Sequence, residues 1–427
     1  MRIAIWHNLP SGGGKRALYY HVLGLLERGH TLESWCPPTA DRTYLSLSNI
    51  IKENIVPLHQ PVEKSGLVGN ILSPYQRIVD RIRALEQHCQ QCADEINRGD
   101  FDILFANSCC FFRTSAIGRY VNIPKVIYLG EPNRWLYEAM PQLPWLALPS
   151  IKAWWSSPKY LQAFLNNLIE VQGIRVQARE ELYNIQAFDL ILVNSLFSRE
   201  SVRRTYGLDS KVCYLGIDSD MFKPLNLPRE NIVVGLGSIY IGKGLERAVH
   251  AIATIEKDRR PSLIWIGNFS EESYQHQIAQ LALSLEVDFV PKVNISDSEV
   301  VNLLNQASVM IYTPVLEPFG LAPLEANACE TPVVAIAEGG VRESIKDGIN
   351  GFLINNNNPV EIGQAISRLL CDRELAHRIG KQARSYVLEK WSLEKAIDQL
   401  EQYLQETRGK RIFLPTTAQI TVQAVSI

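Results

Sequence analysis

The sequence predicts an α/β protein of two doubly wound parallel-sheet domains facing a cleft. Three observations carry this. Short runs rich in Ile, Leu and Val alternate with stretches of helical period, in two successive series. The runs are continuously apolar, which is the pattern of parallel strands covered by helices on both faces. A stretch with Pro224 and Pro228, MFKPLNLPREN, separates the two series, and 427 residues exceed one ordinary core.

The first series opens with RIAIWHNL as a strand. The glycine-rich turn PSGGGKR and the helical ALYYHVLGLLERGH follow, with Gly29 as a helix stop before the strand TLESWCP. FDILFANS, PKVIYLGE, FDLILVNS and KVCYLGI are its later strands. In the second series NIVVGLG, SLIWIG, VDFVP, SVMIYTP and TPVVAI read as strands. Between them LERAVHAIATIEK, ESYQHQIAQLALSL, DSEVVNLLNQA and LAPLEANACE read as helices. The expected boundaries are 1–222 for the first domain and 223–392 for the second. A long helix at about 393–410 and a tail, 411–427, with no assigned element follow.

Composition excludes several classes. The chain is 46% hydrophobic and 21% charged, with a net charge of −2, so no global attraction to nucleic acid is expected. No run reaches bilayer length. The most apolar region, AMPQLPWLALPSIKAWW, is broken by Pro141, Pro144 and Pro149. The opening MRIAIWHNLP reads as a buried strand and lacks the apolar stretch of a signal peptide. Eight cysteines in a chain this long do not make a disulfide scaffold, and a reducing, cytoplasmic setting is expected. Cys89 and Cys92 beside His88 have zinc-like spacing, but no second pair follows and the surroundings are helical, so no metal site is expected. Cys109 and Cys110 read as core or pocket lining.

The chemistry concentrates in 312–338, YTPVLEPFGLAPLEANACETPVVAIAE. Glu317 follows a strand, Pro318, Phe319, Gly320 and Leu321 make a turn, and a helix carries Glu325. Backbone N–H groups at a helix N-terminus beyond a strand suit an anion or a ring of hydroxyls. A carboxylate accepts hydrogen bonds from two neighbouring hydroxyls, so two of them suit a sugar and a ribose. In the first domain the turn Ser11-Gly12-Gly13-Gly14 lets a ligand approach the backbone, and Lys15 and Arg16 add positive charge there. Two motifs are decoys. Gly237-x4-Gly242-Lys243 has Gly244 where a phosphate loop needs Ser or Thr. GLGSIY has Tyr240 at the third glycine position of a dinucleotide fingerprint.

The segment resembles the retaining glycosyltransferases of family 4, which have the GT-B fold. Their E-x7-E signature stands here as Glu317 to Glu325. The continuation TPVVAIAEGGVRESIKDGINGFLI keeps Gly339, Gly340, Glu343, Gly348 and Gly351, and NSLFSRESVRRTYG and YLGIDSDMFKP also match. The resemblance covers about 190–391 and is weaker before it. It implies transfer of a sugar, with retention, from a nucleoside-diphosphate sugar (UDP- or GDP-linked) to a glycan, lipid-linked or small-molecule acceptor, with no metal or other cofactor. Glu325 would hold the donor ribose. Glu317 would hold the transferred sugar, helped by the N–H groups of Phe319, Gly320 and Leu321. Lys243 would meet the diphosphate, with Ser238 beside it, and the last helix would pack back on the first domain. Gly12, Gly13, Gly14, Glu131 and Arg134 are the acceptor-side candidates.

The chain departs from that family at two places. Ser238 stands where an arginine usually accompanies the lysine, with Arg342 a candidate substitute. Gly130 stands where a histidine usually precedes Glu-Pro, and none lies near Asn107. A binding protein that has lost turnover and a GT-B sugar-nucleotide epimerase are therefore the alternatives. Residues 141–172, with aromatics beside Lys152 and Lys159, suggest a peripheral contact with a membrane or lipid-linked acceptor, or else an insertion packed on the first domain.

Overall fold

A computed structural model of the chain describes residues 1–59, 67–137, 158–355 and 357–409. Residues 141–157 of the aromatic stretch and the tail 411–427 lie outside the described residues.

Two all-parallel sheets form the frame. The first joins β1 (Arg2–Asn8), β2 (Thr31–Cys36), β3 (Lys52–Ile55), β4 (Ile103–Cys109), β5 (Lys125–Gly130), β6 (Leu190–Val193) and β7 (Lys211–Val212). Their spatial order is β3-β2-β1-β4-β5-β6-β7. The second joins β8 (Glu230–Leu236), β9 (Ser262–Gly267), β10 (Phe289–Val293), β11 (Ala307–Tyr312), β12 (Val333–Ile336) and β13 (Gly351–Ile354), in the order β10-β9-β8-β11-β12-β13. Each sheet winds outward both ways from a central pair. Ligands of such sheets bind at that switch point, beyond the carboxyl ends of the strands. In the first sheet the central pair is accordingly the most buried: every residue of β4 and all but Arg2 of β1 are buried.

The sequence reading missed β3 and β13 and overextended β7. All three are edge strands. β3, KENI, is polar, and β13 opens on a glycine, so neither shows the apolar run of a central strand.

The two halves are joined by adjacent crossings. Ile217 N donates to Trp391 O (2.8 Å), and the Arg384 guanidinium donates to the carbonyls of Phe222 (2.6 Å) and Ser219 (3.0 Å). A Cβ on Gly216 would lie 2.6 Å from Leu393 Cα, so glycine lets these crossings touch. The last helix, Leu393–Gly409, lies on the helix Gly13–Glu27 of the first domain. There a Cβ on Gly24 would meet Ile397 at 2.5 Å. Glu401 accepts from His30 Nε2 (2.8 Å) and pairs with Arg28 Nε (3.2 Å).

Candidate active site

Four strand ends converge on one cleft of about 390 Å³. From the first domain the turn after β1 brings Gly12, Gly13 and Gly14, and the end of β5 brings Gly130 and Glu131. From the second domain the turn after β8 brings Ser238 and Lys243. The turn after β11 brings Glu317, Phe319, Gly320, Leu321 and Glu325. Of the donor- and acceptor-side candidates the family resemblance implied, Arg134 alone is absent from the lining, and it reaches the cleft through its hydrogen bond to the Glu131 carboxylate.

The loop holding Glu317 is built by close backbone contact. Leu316 has a left-handed φ of 56°, and Gly340 N donates to Glu317 O at 2.8 Å. A Cβ on Gly339 would sit 2.3 Å from that same oxygen, and one on Gly340 would sit 2.0 Å from Pro318 O. Gly320, at φ 85°, turns the chain into the helix Leu321–Ala328. Phe319 anchors the turn: it is 2% exposed and its ring lies 5.4 Å from that of Trp391.

Electrostatics divide the two glutamates. Lys243 Nζ donates to Glu317 Oε2 at 2.8 Å. Burial pushes the Glu317 pKa up, but the Lys243 and Arg134 cations outweigh it and hold the carboxyl below its ordinary range. Burial likewise lowers Lys243, and Glu317 more than restores it. Glu325 is 6% exposed, and desolvation raises its pKa against the opposing pull of Arg16.

Asn268, Asp297, Tyr44 and Arg113 line the cleft without having been marked in the sequence, and the contacts of Ser238 and Arg16 were not foreseen. Ser238 Oγ donates to Asn268 Oδ1 (3.1 Å), and Asn268 Nδ2 donates to Ser11 Oγ (2.9 Å), so a polar chain crosses between the domains. Arg16 crosses too, 2.6 Å from Asp297 Oδ1 and 3.8 Å from Glu325 Oε1. Arg113 follows the end of β4, whereas Tyr44 sits midway between β2 and β3 and carried no sequence signal. One expectation is corrected. Lys15 does not add charge to the cleft but is wholly buried beneath the first sheet's loops, while its neighbour Arg16 faces the opening. Arg342, the proposed substitute cation, is exposed and donates to Gly339 O, away from the lining.

The zinc-like triplet is engaged in packing. His88 Nδ1 donates to Val56 O and its Nε2 accepts from Trp6 Nε1, each at 3.2 Å, and Cys89 and Cys92 are buried in the first domain's core. Among the described residues His7, Cys36 and Glu53 bring ligand atoms within 4.8 Å of one another. A cation there would share the space with the buried Lys15 ammonium, and His7 Nε2 already meets Glu53 Oε1 at 3.2 Å.

Residues 217–386 match the family of glycosyl transferases group 1. The chain carries a group 1 glycosyltransferase domain. That domain contains Ser238, Lys243, Glu317 and Glu325. Alpha-1,3/1,6-mannosyltransferase ALG2 of Homo sapiens is 29% identical over 252 residues, 52% of this chain and 60% of that protein. A D-inositol 3-phosphate glycosyltransferase of Streptomyces bingchenggensis is 27% identical over 263 residues, 56% of this chain and 57% of that one. The chain thus spans about three-fifths of the length of these curated relatives. Solved structures match over nearly the whole length. A glycosyltransferase from Rickettsia africae has a TM-score of 0.66 at 19% identity, covering 96% of this chain and 99% of its own. HepE of Anabaena, in complex with UDP-glucose, has a TM-score of 0.67 at 17% identity, covering 95% and 100%. The fold around the group 1 domain is GT-B.

Proposed function

We propose that the chain is a retaining glycosyltransferase that takes a nucleoside-diphosphate sugar between its domains. The observation that supports this best is the placement of Lys243, Glu317 and Glu325 on one cleft at the carboxyl ends of β8 and β11. In this reading Glu325 takes the ribose and Glu317 the sugar hydroxyls, helped by the N–H groups of Phe319, Gly320 and Leu321 at the start of the helix Leu321–Ala328, while Lys243 faces the diphosphate. The C1–O bond to the diphosphate breaks as the acceptor oxygen bonds C1 on the same face, and the acceptor proton passes to the departing phosphate oxygen. Lys243 stabilises the negative charge that grows there. No metal or other resident cofactor is required.

The donor is taken to be UDP- or GDP-linked, in keeping with HepE, whose structure holds UDP-glucose. The acceptor, a glycan, lipid-linked or small molecule, would lie against Gly12, Gly13, Gly14, Glu131 and Arg134. Among the described residues no helix is long and apolar enough to cross a membrane. A cytoplasmic enzyme, peripheral at most through 141–172, is the proposed setting. Thermal-shift screening with UDP-, GDP- and ADP-sugars, followed by transfer and donor-hydrolysis assays, tests the reading. Stabilisation by none of them would sink it.

Ser238 and Gly130 favour a second reading, a nucleotide-sugar-binding protein without turnover. Donor binding with neither hydrolysis nor transfer would favour that one.

A further inference from the structure

Building on the ribose reading of Glu325, we propose that Arg16 is a positioning residue for the donor. Reaching from the first domain, it holds the Glu325 carboxylate as a hydrogen-bond acceptor for the ribose hydroxyls.

The contact is built from both domains. Arg16 follows the glycine-rich turn, and its backbone N donates to Gly12 O at 3.0 Å, which fixes the first turn of the helix Gly13–Glu27. Its guanidinium lies 5.6 Å from the Tyr44 ring centroid and 5.5 Å from that of Phe222. Between these rings it meets two carboxylates of the other domain: Nη2 to Asp297 Oδ1 at 2.6 Å, and Nε to Glu325 Oε1 at 3.8 Å. The side chain is 12% exposed. A planar fork held between aromatic faces serves two carboxylates at once, which a lysine does less well.

A vicinal diol donates two hydrogen bonds, and an ionised carboxylate accepts both, whereas a protonated one has lost part of that capacity. Glu325 is the cleft carboxylate for which this matters, because desolvation pushes its pKa up and the nearby Asp297 pushes it further. Arg16 is the opposing cation. The other titratable neighbours within its field are Tyr44, Tyr312 and Cys329, none of them cationic. A bridge serving only to close the domains would not need to end on this carboxylate.

The test is donor affinity by calorimetry from about pH 6 to 9, using UDP-glucose and GDP-mannose, for wild type, Arg16→Met, Arg16→Gln, Arg16→Lys and Glu325→Ala. Loss of an opposite charge at this range raises a carboxyl pKa by about one to three units, so Arg16→Met and Arg16→Gln should bind about tenfold more weakly near pH 6 and recover towards pH 9. Wild type and Arg16→Lys should show a smaller pH dependence than either of these variants. Binding like wild type at every pH by Arg16→Met or Arg16→Gln, with Glu325→Ala inactive in binding, overturns the role of Arg16 and leaves the ribose reading intact. A loss of equal size at every pH also overturns it, since a purely structural bridge gives that result. Wild-type affinity in Glu325→Ala overturns the ribose reading, and the Arg16 proposal with it. The Gln variant keeps the test readable if the Met variant fails to fold.

Discussion

Lys243 Nζ lies 2.8 Å from Glu317 Oε2, so the cation assigned to the diphosphate and the carboxylate assigned to the sugar are one ion pair. Each therefore orients the other, and neither is a free acid or base. Replacing Lys243 by Ala should lower kcat by about 10²–10³-fold, the usual effect of removing one preorganised donor from a developing charge. Steady-state kinetics beside a far-UV spectrum checks this, and a change below about threefold would remove Lys243 from the chemistry.

The two glutamates should respond to pH with opposite sign. The Glu317 pKa is depressed, so its charge adds stability above the unfolded value of 4.5, and that is lost as pH falls through the lower folded value. Lys243 is raised, so its contribution is complete below 10.5 and lost as pH rises through the folded value. Glu325 is raised, so ionising it costs stability as pH climbs from 4.5 through its folded value. Glu317→Gln should therefore melt below wild type at neutral pH, and Glu325→Gln above it. Both gaps should narrow towards about pH 4. Melting curves at two pH values decide it, and a destabilised Glu325→Gln would contradict the sign.

Glu343 should act across the domain boundary. Its carboxylate accepts from Leu196 N (2.9 Å) and Phe197 N (3.0 Å), the first amides of a first-domain helix, and from Tyr214 OH (2.9 Å). It is a helix cap supplied by the other domain. Glu343→Ala should cost about 1–2 kcal/mol, as lost caps do, and Glu343→Gln less. Denaturant titration measures this, and an unchanged midpoint would show the cap to be replaceable by water.

Much of this was legible in the sequence, for identifiable reasons. Central strands such as β4 and β11 announce themselves because both faces are covered. The E-x7-E turn is local, so its glycines and carboxylates appear in one segment. Arg16 was legible as a positive charge at the glycine-rich turn, but not as a partner of Asp297 and Glu325, which are about 300 residues away. Lys15 and Arg16 are neighbours in sequence, but successive residues on a helix point about 100° apart. One is buried and the other faces the cleft, and no local pattern says which. Ser238 looked like a lost cation, and the structure gives it a different bond, to Asn268 in the interdomain chain.

Gly339 and Gly348 offer a matched pair of substitutions. Both have left-handed φ, 66° and 73°. A Cβ on Gly348 meets nothing within 4 Å, whereas one on Gly339 lies 2.3 Å from Glu317 O and 2.8 Å from Glu317 N. Gly348→Ala should cost only the conformational strain of about 1–2 kcal/mol. Gly339→Ala should cost more and also weaken donor binding, because the displaced backbone carries Glu317. Paired stability and donor-affinity measurements check it, and equal effects on both readouts would refute the loop contact.

Gly130 tests whether the missing histidine is a loss that can be repaired. It sits at φ 72°, where a histidine is strained, although a Cβ would have room, its nearest neighbour being Asn194 Nδ2 at 3.8 Å. The backbone here is shaped for glycine, so a side chain on it would leave at an angle set by the left-handed turn. Gly130→His should therefore lose about 1 kcal/mol of stability and gain no transfer activity. Transfer rates of wild type and variant, read with the same donor and acceptor, settle the matter. A gain of tenfold or more would mean that the cleft accepts the histidine, and would favour the reading in which the natural chain binds its donor but turns it over poorly.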